Sequence, residues 1–380
     1  MLDSVALMIL GTGALVAVSG ALLGTFLVLR GEAMAGDAIS HAIVLGIVLA
    51  WMLTGARSGP LAVGGAVLAG VAAVFGAQLL ARSRLLGNDA ATGIVFPAMF
   101  ALGVLLINLN ARNLHLDPDT VLLGEIGFVW LDTVTLLGMD WPVAGVTLAA
   151  VGLVNLLFVG LFWKELKLAA FDPGLAQALG FRPALLGLGL LALTAATAVA
   201  SFDAVGVVLF LAFLIVPAVT GRLVAASTGG MMGLAVLSGV SAVGIGYVGA
   251  VHWDVSLGGS MAVATGLGLA VALVASPRSG MVAALIRRRA IREESLVAVL
   301  LAHLAAHEGT ERAAEECTPE ALVEHLRWSP DQAQTVLVTA LERGVIRRDG
   351  ARLSLTEAGR ALARAEALRH DRRRALTEER

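Results

Sequence analysis

Apolar residues come in nine long runs along this chain, at about 5–29, 38–54, 61–81, 91–109, 141–162, 184–200, 204–220, 231–251 and 256–275. A helix needs ~20 mostly apolar residues to cross hydrocarbon, so the runs predict eight or nine crossings. The run 204–220 is short, and a re-entrant or broken helix is the alternative there. The pattern changes at Arg287-Arg288-Arg289. Beyond it, apolar residues recur at amphipathic helical spacing over Glu293–His307, Thr318–Arg327 and Ser329–Arg343. Thr318 and Ser329 are N-cap residues, each followed by a proline at the first helical position. Alternating apolar residues then flank Asp349-Gly350, a hairpin signal, and Thr356 caps a further helix. The predicted fold is an all-α polytopic membrane bundle over 1–280, a basic linker over 281–292 and a small α+β domain over 293–380.

Composition sharpens the division. The 380 residues are 58% hydrophobic and 15% charged, whereas a soluble domain carries about 25% charged residues. Residues 1–286 hold 23 charged side chains and residues 287–380 hold 33. An ordinary soluble enzyme, a disordered chain and a disulfide framework are excluded. The single cysteine, Cys317, allows no intramolecular disulfide and no thiolate cluster. The two lysines, Lys164 and Lys167, follow no glycine-rich phosphate cradle, so any ATP that drives this protein binds to another subunit. The acidic start Met1-Leu2-Asp3 is unlike a cleaved leader, and the first run is retained as a span.

Lys and Arg favour the cytoplasmic face. With the N-terminus outside, inner loops carry Arg30, Arg82, Arg84, Lys164, Lys167, Arg182, Arg222 and Arg278, and outer loops carry Arg57 and Arg112. This predicts a multi-pass protein of the inner (plasma) membrane with a cytoplasmic C-terminal domain. Forty of the 44 glycines precede residue 287, as expected where helix backbones approach closely in lipid.

Ionisable groups at membrane depth are expensive and mark function. Asp37 and His41 are four apart and share one helix face. On a helix running from near Gly31 to Thr54, His41 would sit ~15 Å along a ~36 Å rod, close to the midplane. A carboxylate beside an imidazole is a partial site for Mn, Fe(II) or Zn; a buried Asp–His hydrogen bond locking two helices is the structural alternative. Asp203, in the break Ala200–Asp203, is a second candidate metal-path residue or a solvated turn. His115, Asp117 and Glu125, in the external segment Asn108–Asp132, form a candidate acidic entrance that would concentrate cations, or an ordinary wet loop.

These residues fall into an ordered set: Gly36-Asp37-Ala38-Ile39-Ser40-His41-Ala42, Asn88–Phe96, Ala101–Val104, His115-Leu116-Asp117, Leu123-Gly124-Glu125, Lys164-Glu165-Leu166, Phe171-Asp172-Pro173, and Val205–Leu209 leading to Ile215–Ala218. The chain from about 1 to 280 resembles the membrane permeases of manganese/zinc/iron ABC importers. The resemblance implies a second permease subunit, identical or different, two ATP-binding cassette subunits and an external solute-binding metal chaperone. It implies that Asp37 and His41 line the metal path and that Phe171–Gly180 is a coupling helix docking on the ATPase, through Phe171, Asp172, Pro173, Ala176 and Gly180. No permanently bound cofactor is implied; Mn, Zn or Fe(II) is the cargo. One departure is Val44-Leu45-Gly46, where the family's motif continues Leu-Pro-Gly; losing that proline removes a kink.

The order helix, helix-turn-helix, hairpin, helix after residue 293 is that of a winged-helix module. Residues 296–376 resemble the DNA-binding part of diphtheria-toxin-repressor-like metalloregulators. In that family the third helix enters the major groove. Gln334, Thr335 and Arg343 on that helix, with Arg347, Arg348 and Arg352 in the wing, are the candidate DNA contacts. A domain charge near +1 is small for binding that rests on phosphate neutralisation. His370 falls where that family has a metal-ligand histidine, but Arg374 replaces the expected glutamate. His303 and His307, four apart, are a further candidate zinc pair or a half-buried helix face. The tail is thus a DNA-binding regulator, a metal-responsive brake or a structural interaction module. The main expectation is a non-enzymatic permease for divalent transition metals working by alternating access. Its alternative is a membrane-tethered, metal-responsive transcriptional regulator.

Overall fold

The computed structural model describes residues 4–55, 60–83, 85–110, 125–136, 138–277, 279–310 and 312–365. The chain divides into two compact units, Met1–Met281 and Val282–Arg380. In the first unit, helices α1 (Ser4–Arg30), α2 (Met34–Thr54), α3 (Pro60–Arg82) and α4 (Asn88–Asn110) precede a short 3-10 turn, Ile126–Phe128. A hairpin of β1 (Thr133–Leu136) and β2 (Met139–Pro142) follows, paired antiparallel with Thr133 opposite Pro142. Then come α5 (Val143–Leu161), α6 (Trp163–Phe171), α7 (Pro173–Ala178), α8 (Pro183–Val224), α9 (Thr228–Trp253) and α10 (Leu257–Ala275). Among the described residues eight segments are long and apolar enough to cross a membrane. The run foreseen at 91–109 is the shorter apolar stretch Gly93–Leu109 within α4, which carries Pro97. The β1–β2 hairpin was not foreseen.

The centre of this unit is α1 packed on α8. Leu23, Phe26 and Leu27 meet Phe210, Phe213 and Leu214, all buried. Straight, the 42 residues of α8 would run about 63 Å, twice the hydrocarbon thickness. They do not run straight. A Cβ on Gly187 would lie 2.5 Å from Arg30 Nη2, and Arg222 Nη1 donates to the Val28 carbonyl at 3.2 Å. Both ends of α8 therefore meet the same end of α1, and the chain reverses between them. The reversal is at Gly206, whose φ of 72° and ψ of 173° are non-helical. Each half, Pro183–Phe202 and Ala204–Val224, is long and apolar enough to cross a membrane by itself. This corrects two expectations. The second half is not a short re-entrant run, and the break is at Gly206 rather than at Ala200–Asp203, which is helical.

Residues Val44-Leu45-Gly46, at the departure from the family's motif, continue α2 as unbroken helix. Gly46 serves close packing there. A Cβ on it would lie 2.2 Å from the Gly65 carbonyl oxygen of α3, and one on Gly65 would lie 2.6 Å from that of Gly46. Such backbone approach is the means by which helices associate in lipid.

The second unit has its own core. Helix α11 (Met281–His307) takes in the arginine-rich stretch expected as a linker, and is followed by α12 (Ala313–Glu316), α13 (Pro319–His325) and α14 (Pro330–Glu342). A hairpin of β3 (Ile346–Asp349) and β4 (Arg352–Leu355) turns at Gly350-Ala351, and residues 357–365 are helical. The caps sit where the sequence puts them: Thr318 Oγ1 accepts from Ala321 N at 3.2 Å, Ser329 Oγ from Gln332 N at 3.2 Å and Thr356 Oγ1 from Gly359 N at 3.1 Å. Leu300, Leu304, Leu322, Ala340, Ile346 and Leu353 are buried together.

Candidate functional site

Asp37 lies in the first turn of α2, where a carboxylate complements the positive end of the helix. One turn on, His41 Nε2 lies 3.5 Å from Asp37 Oδ1. The ring of Phe100, from α4, meets the His41 imidazole edge-on at 5.7 Å and limits its orientation. Behind the pair, Ala38, Ala42, Ala73 and Phe96 form a small buried cluster. The pair itself is open: the side chains of His41 and Asp37 are 41% and 49% exposed. It is thus no buried lock between helices. Because α2 begins at Met34, His41 stands about 10 Å along a helix of about 31 Å. That is the third nearest the α1–α2 turn, not the midplane. In the turn, Arg30 holds Glu32 by two hydrogen bonds of 2.8 and 3.0 Å.

The segment 171–180 is ordered by short-range bonds. Asp172 caps α7 through Oδ1, which accepts from Leu175 N at 2.9 Å, and Pro173 takes the first helical position. Ala176 is buried, and Gly180, at φ 87°, ends the turn with its N–H on the Gln177 carbonyl at 2.9 Å. Phe171, Leu175, Leu179 and Phe181 are left exposed. These four side chains form an exposed apolar patch on the segment.

Among the described residues, Glu125, Asp203 and the proposed DNA-contact residues do not assemble into one site. His115 and Asp117 lie outside the described residues. Glu125 is exposed at the start of the 3-10 turn, where its carbonyl accepts from Phe128 N at 2.9 Å. Asp203 is in the helical stretch three residues before the Gly206 reversal. In the second unit Gln334 and Thr335 are exposed on α14 and Arg343 ends it. Thr335 lines a shallow groove together with Glu293 and Asp331, which gives that face a negative lining. Arg347 Nε bonds Asp349 Oδ2 at 3.1 Å, Arg348 Nε bonds the Gly350 carbonyl at 3.0 Å, and Arg352 stands opposite Asp349. His370 and Arg374 lie outside the described residues. Sequence reasoning missed Phe100, which only tertiary packing brings to His41.

Eight helices long and apolar enough to cross a bilayer, among the described residues, place the chain in the class of multi-pass membrane proteins. Residues 4–276 match the ABC 3 transport family, and the chain belongs to it. The zinc transport system membrane protein TroD of Treponema pallidum (strain Nichols) is 42% identical over 350 residues, covering 92% of this chain and 95% of that protein. That match extends into the second unit. The manganese transport system membrane protein MntD of Bacillus subtilis (strain 168) is 42% identical over 288 residues, covering 75% of this chain and 97% of that protein. In fold, the chain is similar to PsaBC from Streptococcus pneumoniae in complex with Fab, with TM-score 0.61 and 26% identity over 73% of this chain and 93% of that one.

Proposed function

We propose that this chain is the permease subunit of an ATP-binding-cassette importer that moves a divalent transition metal ion, Zn, Mn or Fe(II), into the cytoplasm. The observation that carries the reading is the Asp37–His41 pair, close together and half open on a membrane helix. Charge turned toward lipid is costly, so the open side faces water, an ion or a second polar surface. A hydrated divalent ion cannot enter hydrocarbon unless ligands replace its water. One carboxylate and one imidazole suit Mn, Fe(II) and Zn alike. Because they are few, the ion is released as readily as it is taken up. The names of the zinc and manganese transport relatives support this cargo class.

The permease makes and breaks no covalent bond. ATP is hydrolysed by two partner subunits, and the exposed patch of Phe171, Leu175, Leu179 and Phe181 is the surface on which an ATPase docks. A second permease, across which the ion path is shared, covers the open side of Asp37 and His41. An external binding protein delivers the ion to the face that carries Glu125. The second unit lies in the cytoplasm. Its order of helices and hairpin supports a winged-helix reading, while the acidic groove beside Thr335 favours contact with protein over DNA.

The test is metal accumulation by cells carrying the whole complex with Asp37→Ala or His41→Ala. Uptake of the cargo metal falls about tenfold or more, the loss that goes with ~1.4 kcal/mol of missing ligand interaction. Unchanged uptake of Mn, Fe and Zn, at equal amounts of protein in the membrane, rejects the site.

A further inference from the structure

The second unit brings together three donors that lie far apart in sequence. His303 of α11, Glu316 at the end of α12 and His325 at the end of α13 each offer one ligand atom, and these atoms lie within 4.8 Å of one another. We propose that they form a second metal site, separate from the Asp37–His41 pair, that takes a divalent transition ion, zinc above all. Ligands around a tetrahedral zinc stand about 3.3 Å apart, given bonds of about 2.0–2.1 Å. Small side-chain rotations close that gap.

The donors are held from three independent directions. His303 lies between the buried Leu301 and Leu304 of α11. Its Nε2 is 3.1 Å from the Glu316 backbone carbonyl oxygen, which ties the ring to the segment that supplies the carboxylate. The next residue, Cys317, accepts from Leu353 N at 2.8 Å and so joins that segment to the β3–β4 hairpin. His325 sits in the last turn of α13, whose Ala321 and Leu322 are buried, and its Nδ1 is paired with Glu316 Oε2. The Glu316 side chain is 16% exposed and that of His325 45%. The cluster thus opens on one side, where water can complete the coordination.

Two imidazoles and a carboxylate are a zinc donor set with room left for water. The Irving–Williams order makes the same site weaker for Mn(II) and Fe(II). The i,i+4 pair His303/His307 is replaced by a different set. The His307 ring lies 4.8 Å from that of His303, but its nitrogens are not among the converging donors.

The experiment uses the full chain, purified in detergent without a histidine tag and carrying Asp37→Ala and His41→Ala to remove the membrane pair. Zinc affinity is measured by chelator competition. The expected result is a zinc ion that is held about tenfold or more weakly after His303→Gln, Glu316→Gln or His325→Gln and is unaffected by His307→Gln. Equal zinc binding in all variants overturns the proposal, as does a loss with His307→Gln but not with His325→Gln. Zinc-edge X-ray absorption on the chain with its second unit unaltered serves where a variant fails to fold. Two imidazoles on the metal support the site, and one or none rejects it.

Discussion

Gly206→Ala tests the reversal of α8 on which the arrangement of the membrane unit depends. The backbone there has φ 72° and ψ 173°. This region is essentially restricted to glycine, and an L side chain forced into it costs about 1–3 kcal/mol. Gly206 is also buried, so the new methyl group must find room. A loss of 1 kcal/mol lowers a thermal midpoint by about 2–4 °C in a sizeable domain, which sets the expected fall at about 2–12 °C. Gly11→Ala is the control. Gly11 is exposed in α1 with nothing within 4 Å of an added Cβ. There alanine removes glycine's entropic cost and is neutral or stabilising by up to about 1 kcal/mol. The assay is thermal unfolding of the purified full chain in detergent, followed by tryptophan fluorescence. Equal midpoints for Gly206→Ala and Gly11→Ala would refute a glycine-dependent reversal at this position.

In the second unit, Leu322→Ala removes a fully buried side chain and costs about 2–5 kcal/mol; limited proteolysis of the full chain should then cut the C-terminal unit while sparing the bundle. The exposed Val338→Ala stays within about 0.5 kcal/mol and should leave the digestion pattern unchanged. The hydrogen bonds from Arg360 hold the Glu308 carboxyl below its ordinary value, so this pair contributes stability above the usual carboxylate range and loses it as pH falls through the lowered value. The small difference in melting between wild type and Glu308→Gln should therefore vanish in acid, and a difference that grows below about pH 4 contradicts the assignment. A Cβ on Gly36 would meet Leu214 Cδ2 at 2.4 Å; Gly36→Ala should therefore impair transport, and Leu214→Ala added to it should restore part of the loss. Strictly additive losses in that double-mutant cycle exclude a contact worth more than about 0.5 kcal/mol.

What could be read from the sequence was what is local or what hydrocarbon demands. The spans were legible because lipid requires an unbroken apolar run, and the caps at Thr318, Ser329 and Thr356 because each acts on an N–H three residues away. Asp37 and His41 were legible as a pair because helix geometry alone brings them together. The reversal in α8 was displaced by a few residues because Ala204, Val205 and Val207 are as apolar as the helix on either side. The β1–β2 hairpin escaped because Leu136, Met139 and Trp141 blend into the apolar run that follows, although Thr133, Val134, Thr135 and Gly138 were signals of strand and turn. Phe100 beside His41, and Glu316 with His325 beside His303, escaped for another reason. Tertiary packing brings them together, and no periodicity records it.

The same packing connects the segment 171–180, through α8, to the surroundings of Asp37 and His41. Helix α7 leads into α8 after a turn in which Phe181 N donates to the Ala176 carbonyl at 3.0 Å. The first half of α8 then touches α1 at Arg30, and the second half returns to press on α1 and α2 together. At Leu214 the contact is closest. An added Cβ on Gly24 of α1 would lie 1.8 Å from the Leu214 carbonyl, and one on Gly36 of α2 would meet the Leu214 side chain. Gly36 immediately precedes Asp37. Close-packed interiors transmit displacement rather than absorb it. Leu214 of α8 is packed against the first turn of α2, the turn that carries Asp37. If, as proposed, an ATPase docks on the segment 171–180 and an ion on the Asp37–His41 pair, α8 is the element that follows the first and packs against the helix that carries the second.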